Sequence, residues 1–287
     1  VETEMKSYTV ISTLSAAAVL GLTSFAQAAC EPDQVATKYP DLAGRVITIG
    51  ADPQTPPYVM RNPDNFDEVI GIDVELAIGA MECAGLEYKF VLGAWSGLLP
   101  AVQSGQIDIM WDNLYYKPSR AEVVDFVTYM QAATATMVAK GNAAGIHEVD
   151  DLCGTVTTFG LGSSSEIIVK EQSEACIAEG KDEIIMMTFQ DLAAGLRLLD
   201  SGRADALFWD LGFIDNLAAN NPDKYERAYS TMDGFEIGAA VANGEDQLLG
   251  AIHEGLTALQ ADGRSAEIFG KYGVDPGLEI PSVIKTE

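Results

Sequence analysis

Two segments of the chain end in the same pair of side chains, Trp-Asp. The first runs from Leu98 through Ser104-Gly105-Gln106-Ile107-Asp108 to Trp111-Asp112. The second runs from Leu196 through Ser201-Gly202-Arg203-Ala204-Asp205 to Trp209-Asp210. Each reads as an apolar helix closed by Ser-Gly, a short turn, an Asp and a hydrophobic strand. One such unit is common in α/β proteins. Two of them, a domain's length apart, predict two similar lobes, and two lobes make a cleft. When the copies are aligned on Asp108 and Asp205, Asn113 falls opposite Asp210, so these side chains are expected to face each other across that cleft. Further along, Ser163-Ser164-Ser165-Glu166 opens a predicted helix, with Ser163 and Glu166 at capping-box spacing. The free amide N–H groups of such an end favour an anion, which makes Ser163 and Ser164 candidate ligand contacts as well as caps.

Catalytic chemistry has little to work with. The chain holds 2 histidines. His147 lies in a polar stretch and His253 on the polar side of a predicted helix, so both are expected to be solvated. There is no nucleophile elbow and no metal-ligand spacing. Gly160-Leu161-Gly162 is not a dinucleotide fingerprint, because Ser165 stands where the third Gly belongs, and no ATP-type Lys follows. No catalytic residue, metal or cofactor is expected, and a binding protein is the leading reading.

The 287 residues give room for two domains. A net charge of −26 argues against nucleic acid and against an anionic membrane surface, both of which need a basic footprint. The acidity fits a solvated, self-repelling surface. The N-terminus reads as an export signal over residues 1–28. Lys6 is a short basic region, Val10 to Phe25 is apolar, and Ala26-Gln27-Ala28 is a small-x-small cleavage site. Val1-Glu2-Thr3-Glu4 precedes Met5, so translation starts at either Val1 or Met5. A lipoprotein reading for Cys30 is disfavoured, since Gln27 stands where a lipobox takes Leu.

Export makes the cysteine number informative. The 4 cysteines are an even set for an oxidising compartment, and three pairings are open. Cys153 and Cys176 bracket one strand–helix unit and are expected to bond. Cys30 and Cys83 are then left to tie the N-terminus to the first long helix. Four buried thiols are the alternative. Cys-x-x-Cys spacing is absent.

The elements that position these residues follow from periodicity. Strands are predicted over 45–51, 88–92, 107–111, 155–159, 184–189, 204–209 and 235–241. Helices are predicted from Gly71 to near Gly85, over 95–103, from Ser163, over 192–199, and over 245–262. Strands separated by helices of this length give right-handed crossovers and mainly parallel sheets. The last helix cannot complete the second lobe and is expected to return to the first.

Taken in order, Arg45 to Gly50, Pro56-Pro57-Tyr58, Gly71 to Leu76, Trp95 to Asp108, Pro118-x-Arg120, Val124-Asp125-Phe126, Asp151-Leu152-x-Gly154, Gly202 to Ala206 and the final helix resemble the extracellular solute-binding protein family 3. These are the polar amino-acid receptors of bacterial ABC importers. The resemblance implies a two-lobed periplasmic binding fold of type II. Each lobe is a mainly parallel sheet flanked by helices, with two hinge crossings near 132–136 and 236–241. Lobe one would hold residues 29–133 and 241–287, and lobe two 134–240. It also implies a monomeric periplasmic receptor, whose partners are a small zwitterionic ligand and the permease of an ABC importer.

Residue by residue, the resemblance makes Arg120 the clamp for a ligand carboxylate and Asp210 the partner of a ligand ammonium, with Asp52 as a further polar contact. A zwitterion needs a planar donor fork and a carboxylate some way off, which is what those types supply. The competing roles are an ion pair of Arg120 with Glu122 or Asp125, and N-cap or turn roles for Asp210 and Asp52. The departures are aromatic. Tyr115 stands where the family has Ser or Thr, Asn113 replaces a small residue, and Trp209 replaces a polar one. Trp95 sits at an aromatic position. Trp95, Tyr115 and Trp209 are expected to surround an alkylated or cyclic amine, while Trp111 and Tyr116 are expected in the core. The rival reading is a periplasmic dehydratase of the cyclohexadienyl or arogenate type, for which Glu166 is the nameable acid. A receptor reporting to a membrane sensor is a third.

Overall fold

The computed structural model describes residues 30–286; the expected export segment, 1–28, lies outside the described residues. The chain enters with a short helix, α1 (Val35–Lys38), and then β1 (Val46–Ala51), whose β-branched run suits a buried central strand. A small antiparallel sheet follows, of β2 (Gln54–Thr55), β3 (Val59–Arg61) and β4 (Val69–Ile70). Next come α2 (Ile72–Ala84), β5 (Glu87–Leu92), α3 (Trp95–Gln103), β6 (Ile109–Tyr115), the single turn α4 (Pro118–Ala121) and the long strand β7 (Val124–Ala139). The second half is β8 (Val156–Gly160), α5 (Ser164–Ala178), β9 (Ile185–Phe189), α6 (Leu192–Asp200), β10 (Ala206–Asp210) and α7 (Leu211–Asn220). The long strand β11 (Tyr225–Ala242) then leads to α8 (Asp246–Ala261), α9 (Arg264–Lys271) and β12 (Glu279–Lys285).

The main sheet runs β5-β1-β6-β11-β7-β10-β8-β9, with β12 also on β7. Three parallel strands, β5, β1 and β6, stand at one end, and three more, β9, β8 and β10, at the other. Between them β7 and β11 run antiparallel through both halves. This is the two-lobed α/β architecture expected from the sequence, with the 16-residue β7 and 18-residue β11 as the two crossings. The pairing of β7 with β11 slips between Met232↔Ala133 and Glu236↔Gln131.

The repeat is structural as well as sequential. Asp108 N donates to Thr48 O at 3.0 Å, and its carboxylate accepts from Thr48 N at 2.7 Å. In the second copy Asp205 N donates to Val156 O at 2.7 Å, and its carboxylate accepts from Val156 N at 2.8 Å. Each Asp pins the turn after its helix to the neighbouring parallel strand. That is why β6 and β10 begin at Ile109 and Ala206, two residues later than the hydrophobic pattern predicts. β6 also runs on to Tyr115, past the predicted end at Trp111.

α8 returns to the first lobe, as expected. Leu248, Ile252, Leu256 and Leu259 join Ile47, Ile49, Leu76, Ala80 and Trp111 in one core. The two helices cross so closely that a Cβ on Gly255 would stand 2.6 Å from the Ala80 Cα. The second lobe has a smaller core on each face of its sheet, one around Phe159, Val169 and Phe208, the other around Phe189, Leu199 and Phe213.

The amide end of α2 fixes a loop that matters for the site. Ile72 N donates to Pro57 O and Asp73 N to Tyr58 O, both at 3.1 Å. Gly71 at φ 139 makes that approach possible, since its Cβ would fall 2.1 Å from the Tyr58 carbonyl oxygen. Disulfides join Cys30 to Cys83 and Cys153 to Cys176, the pairing expected from the sequence, and there is no free cysteine among the described residues.

The Cys153–Cys176 bond spans a sequence separation of 23 residues. The double variant Cys153→Ala/Cys176→Ala should unfold in urea with about 3 kcal/mol less stability, from chain entropy restored to the unfolded state. An unchanged denaturation midpoint would show that this bond does not constrain the unfolded chain.

Candidate functional site

The cleft between the lobes encloses a cavity of about 150 Å³. Its walls include all nine residues singled out from the sequence as ligand contacts: Asp52, Trp95, Asn113, Tyr115, Arg120, Ser163, Ser164, Trp209 and Asp210. The strand ends of both copies of the repeat, Asn113 after the first and Trp209-Asp210 in the second, thus converge on one space.

Arg120 sits on α4, held by a hydrogen bond from Nη1 to the Tyr115 carbonyl at 2.6 Å. Its guanidinium lies over the Trp95 ring, 5.4 Å from the centroid. No carboxylate pairs with it among the described residues. Of the two expected competitors, Asp125 instead accepts from Gly244 N at 3.2 Å. Burial lowers the Arg120 pKa to about 10, which leaves a full positive charge on the guanidinium at neutral pH. A half-buried cation with donor N–H groups free and an aromatic support is an anion site. Ser163, Ser164 and Ser165, at the N-terminus of α5, line the same cavity.

Asp210 is both a helix cap and a cleft residue, so the two roles weighed for it coexist. Its Oδ1 accepts from Phe213 N at 3.1 Å, the N-cap bond of α7, and from Tyr58 Oη at 2.8 Å. Its Oδ2 accepts from Tyr115 Oη at 3.0 Å. The Asn113 side chain is a further hydrogen-bond partner, so Asn113 and Asp210 do meet across the cleft. Burial raises the Asp210 pKa, and these hydrogen bonds work against the rise. Asp52 has the turn role weighed for it. Oδ1 accepts from Gln54 N at 3.0 Å, and Oδ2 accepts from Trp95 N at 2.9 Å, at the start of α3.

Two more carboxylates lie beneath the floor, both fully buried. Asp112 accepts from Asp52 N at 2.6 Å and from the Thr55 hydroxyl. Asp73 accepts from Asn113 N and from the Tyr129 phenol. Burial raises both, Asp73 to about 6 and Asp112 further. The cation-facing end therefore carries four carboxylates and no ion pair among the described residues.

The aromatic walls are partly as expected. Trp209 sets the edge of its indole against Gly160, with its ring centroid 5.4 Å from that of Phe189. A Cβ on Gly160 would stand 2.2 Å from the indole, so the ring as placed requires glycine there. Trp95 also supports Arg120, so one face of its indole belongs to the clamp. Trp111 is buried beside Tyr129, and Tyr116 packs on Phe126, both outside the cavity as expected. His147 is exposed. His253 departs from expectation: it is half-buried, with Nδ1 3.0 Å from the Ser282 hydroxyl, where α8 meets β12.

Sequence reasoning missed Tyr58, Phe189, Gln190 and Phe213. Tyr58 had a signal, the Pro56-Pro57-Tyr58 motif, but nothing local shows that its phenol reaches Asp210. Glu166, the candidate acid, takes part in capping. It accepts from Gly162 N at 2.7 Å, its own amide donates to Ser163 Oγ at 3.4 Å, and it does not line the cavity.

Two outcomes follow from this geometry. The folded state holds the Asp73 proton more tightly than the unfolded state does, so the stability from that group is full below about pH 4 and lost as pH rises through about 6. Asp73→Asn keeps an oxygen for Asn113 N and an amide for the Tyr129 phenol. It should match the parent in thermal stability at pH 4 and exceed it at pH 7 by an amount on the order of 2–3 kcal/mol. Equal stability at both pH values would remove the buried charge from the account. Gly160→Ala should displace the Trp209 indole, changing tryptophan fluorescence, weakening ligand binding by about tenfold and lowering stability by about 1–3 kcal/mol. An unaltered spectrum would contradict the contact.

The chain matches the model of the bacterial extracellular solute-binding proteins, family 3, over residues 47–275. It is similar to the L-cystine-binding protein TcyJ of Escherichia coli K12, 26% identical over 80% of this chain and 83% of that one. It is also similar to the arginine-binding protein ArgT of Corynebacterium glutamicum, 29% identical over 84% and 79%. Among solved structures, an ancestral arginine-binding protein bound to arginine superposes with a TM-score of 0.71 at 27% identity, covering 79% of this chain and 98% of that one. AncCDT-1, an ancestral amino acid-binding protein described as a precursor of cyclohexadienyl dehydratase, gives 0.67 at 26%, covering 79% and 94%. With a two-lobed fold, a cleft at the lobe junction and a family match over most of its length, this chain belongs to the bacterial extracellular solute-binding proteins of family 3.

Proposed function

We propose that this protein is the periplasmic receptor of an ABC importer, capturing a small zwitterionic amino acid or amino-acid-like ligand between its lobes. The observation that carries the reading is charge separation across one cavity. Arg120 and the α5 N-terminus present a cationic end without a carboxylate partner among the described residues. Asp210 and Asp52, above the buried carboxyls of Asp73 and Asp112, present an acidic end without a cation among the described residues. A ligand carboxylate takes the guanidinium fork, and its nitrogen lies at the Asp210 end among Tyr58, Tyr115 and Trp209. Micromolar capture needs about −8 kcal/mol, within reach of a charge-assisted clamp plus two aromatic contacts.

The relatives named above carry amino-acid-binding names, which supports the ligand class. Export through the segment 1–28 is part of the same proposal. No helix among the described residues is long and apolar enough to cross a membrane. Lobe one would comprise residues 29 to about 133 together with the C-terminal part, and lobe two the segment between. The register slip between Met232 and Glu236 favours a second boundary there, a few residues before the 240/241 division read from the sequence. Ile237 to Val241 pair with Tyr115 to Ile109 of the first lobe.

The dehydratase reading rests on the likeness to AncCDT-1 and loses Glu166 as its acid, since that carboxylate is turned to the Gly162 amide outside the cavity. Turnover of prephenate or arogenate by the purified protein would reverse the ranking.

The direct test is Arg120→Ala with a panel of amino acids, betaines, ectoines, opines and polyamines in a thermal-shift screen followed by calorimetry. A ligand at a hundred times its Kd should stabilise the parent by about 2.7 kcal/mol. The variant should bind at least about a hundredfold more weakly, two charge-assisted hydrogen bonds being lost, while keeping its ligand-free melting temperature. Undiminished affinity in the variant would refute the clamp.

A further inference from the structure

Beside the cavity, the two lobes touch through a glycine. Tyr58 and Val274 belong to the core of the first lobe, together with Ile72, Leu76 and Leu256. Phe213 and Ile214, in the first turn of α7, belong to the second-lobe core around Phe189 and Leu199. Gly212 is where the two meet. A Cβ there would stand 2.7 Å from Tyr58 Oη and 3.2 Å from Val274 Cγ2. The first distance is shorter than van der Waals contact, so a methyl at 212 must either displace the phenol or hold the lobes apart.

The phenol is poorly placed to give way. Tyr58 is 2% exposed, and its carbonyl accepts from Asp73 N at 3.1 Å, which pins this part of the loop to α2. Its Oη donates to Asp210 Oδ1 at 2.8 Å, two residues before Gly212. One side chain of the first lobe thus bonds the cap of α7 and rests on the glycine that follows it. Tyr115 Oη, also from the first lobe, donates to Asp210 Oδ2 at 3.0 Å. Nothing in α7 itself asks for glycine. Gly212 has no positive φ, and alanine is the better helix former. The reason for the missing side chain lies across the lobe junction.

We infer that Gly212 is a positioning residue for ligand capture: with Tyr58 and Val274 it forms the seat on which the lobes close, and it sets ligand affinity although it does not line the cavity. The inference goes beyond the function proposed above and rests on it for the ligand. The seat fixes how near Trp209, Asp210 and Phe213 come to Trp95 and Arg120. A methyl wedged into it is relieved by opening, because the atoms it meets belong to the other lobe. Opening draws apart the two walls that a ligand must touch together, so the overpacking is felt as lost affinity.

The test compares the mature parent chain with Gly212→Ala, Tyr58→Phe and the double variant. Small-angle X-ray scattering is recorded without additions and with an equimolar mixture of the twenty common amino acids, glycine betaine and ectoine. Thermal-shift titration with the same mixture gives the half-saturating concentration. Gly212→Ala should show a larger radius of gyration than the parent in at least one condition, and should half-saturate at about tenfold more mixture. The double variant removes the oxygen that the methyl strikes, and should return to the values of Tyr58→Phe in both readouts. General damage to α7 would not be repaired from the other lobe. Equal scattering of parent and Gly212→Ala in both conditions overturns the inference. Equal half-saturation does so too, and so does a double variant as open as Gly212→Ala. If the mixture does not stabilise the parent at all, the receptor reading fails on its own, and the scattering still decides the seat.

Discussion

Everything in this cleft depends on charges held apart without counter-ions. Arg120 on one side and Asp52, Asp73, Asp112 and Asp210 on the other have no ion pair among the described residues. A buried charge is tolerated only where other groups take over the work of water. Here hydrogen bonds from phenols, hydroxyls and backbone amides do so on the acidic side, and an indole face and a carbonyl do so for the guanidinium. The compensation is incomplete, as the raised pKa values of Asp73, Asp112 and Asp210 and the lowered Arg120 value show. That residual imbalance is what a zwitterion lying across the cleft would relieve.

The scaffold can be read as the means of keeping that separation. The two copies of the helix–turn–Asp–strand unit put their strand ends at the same depth on opposite sides of the lobe junction, and each copy locks its own turn through Asp108 or Asp205. The copies then diverge. The first continues past Asn113 and Tyr115 into α4 and its arginine. The second stops at Trp209-Asp210, where the carboxylate caps α7. The strands β7 and β11 carry the sheet from one lobe to the other, and the slip in their pairing lies beside the cleft. A ligand can bias lobe closure only through its greater affinity for the closed arrangement. Contacts that involve both lobes at once, such as Tyr58 and Tyr115 with Asp210, are where such a difference would arise.

Much of the fold was legible because it is local. The parallel strands and most long helices show up in hydrophobic periodicity, and the repeat shows up in its Ser-Gly and Asp punctuation. β7 was not legible at full length. Its burial is nearly continuous over Val124–Ala139, with only Gln131 and Ala139 exposed, so the two-residue alternation that marks a half-exposed strand is absent. The first half of β11 escaped as well, since Glu226, Arg227 and Ser230 give it a polar reading that only its pairing to β7 overrides. In β12, Pro281 obscured a strand that lies along β7 and is tied to α8 through Gln260 and His253.

The sequence by itself determined most element types, the doubled unit and an even cysteine set for which this pairing was the expected one of three, because each depends on spacing along the chain; the residue kinds suited to a zwitterion came with the family resemblance. The tertiary structure alone decided which of those side chains share a cavity and what they have left to offer a ligand. Tyr58 and Asp210 are separated by 152 positions, yet their hydrogen bond changes Asp210 from a free acceptor into an occupied one. Trp209 needs Gly160 and Phe189 beside it, and Asn113 needs Asp73 and Asp210 to hold its amides in place. Hydrogen-bond saturation and steric fit depend on distances of a few ångströms between remote segments, and only the packed chain sets them.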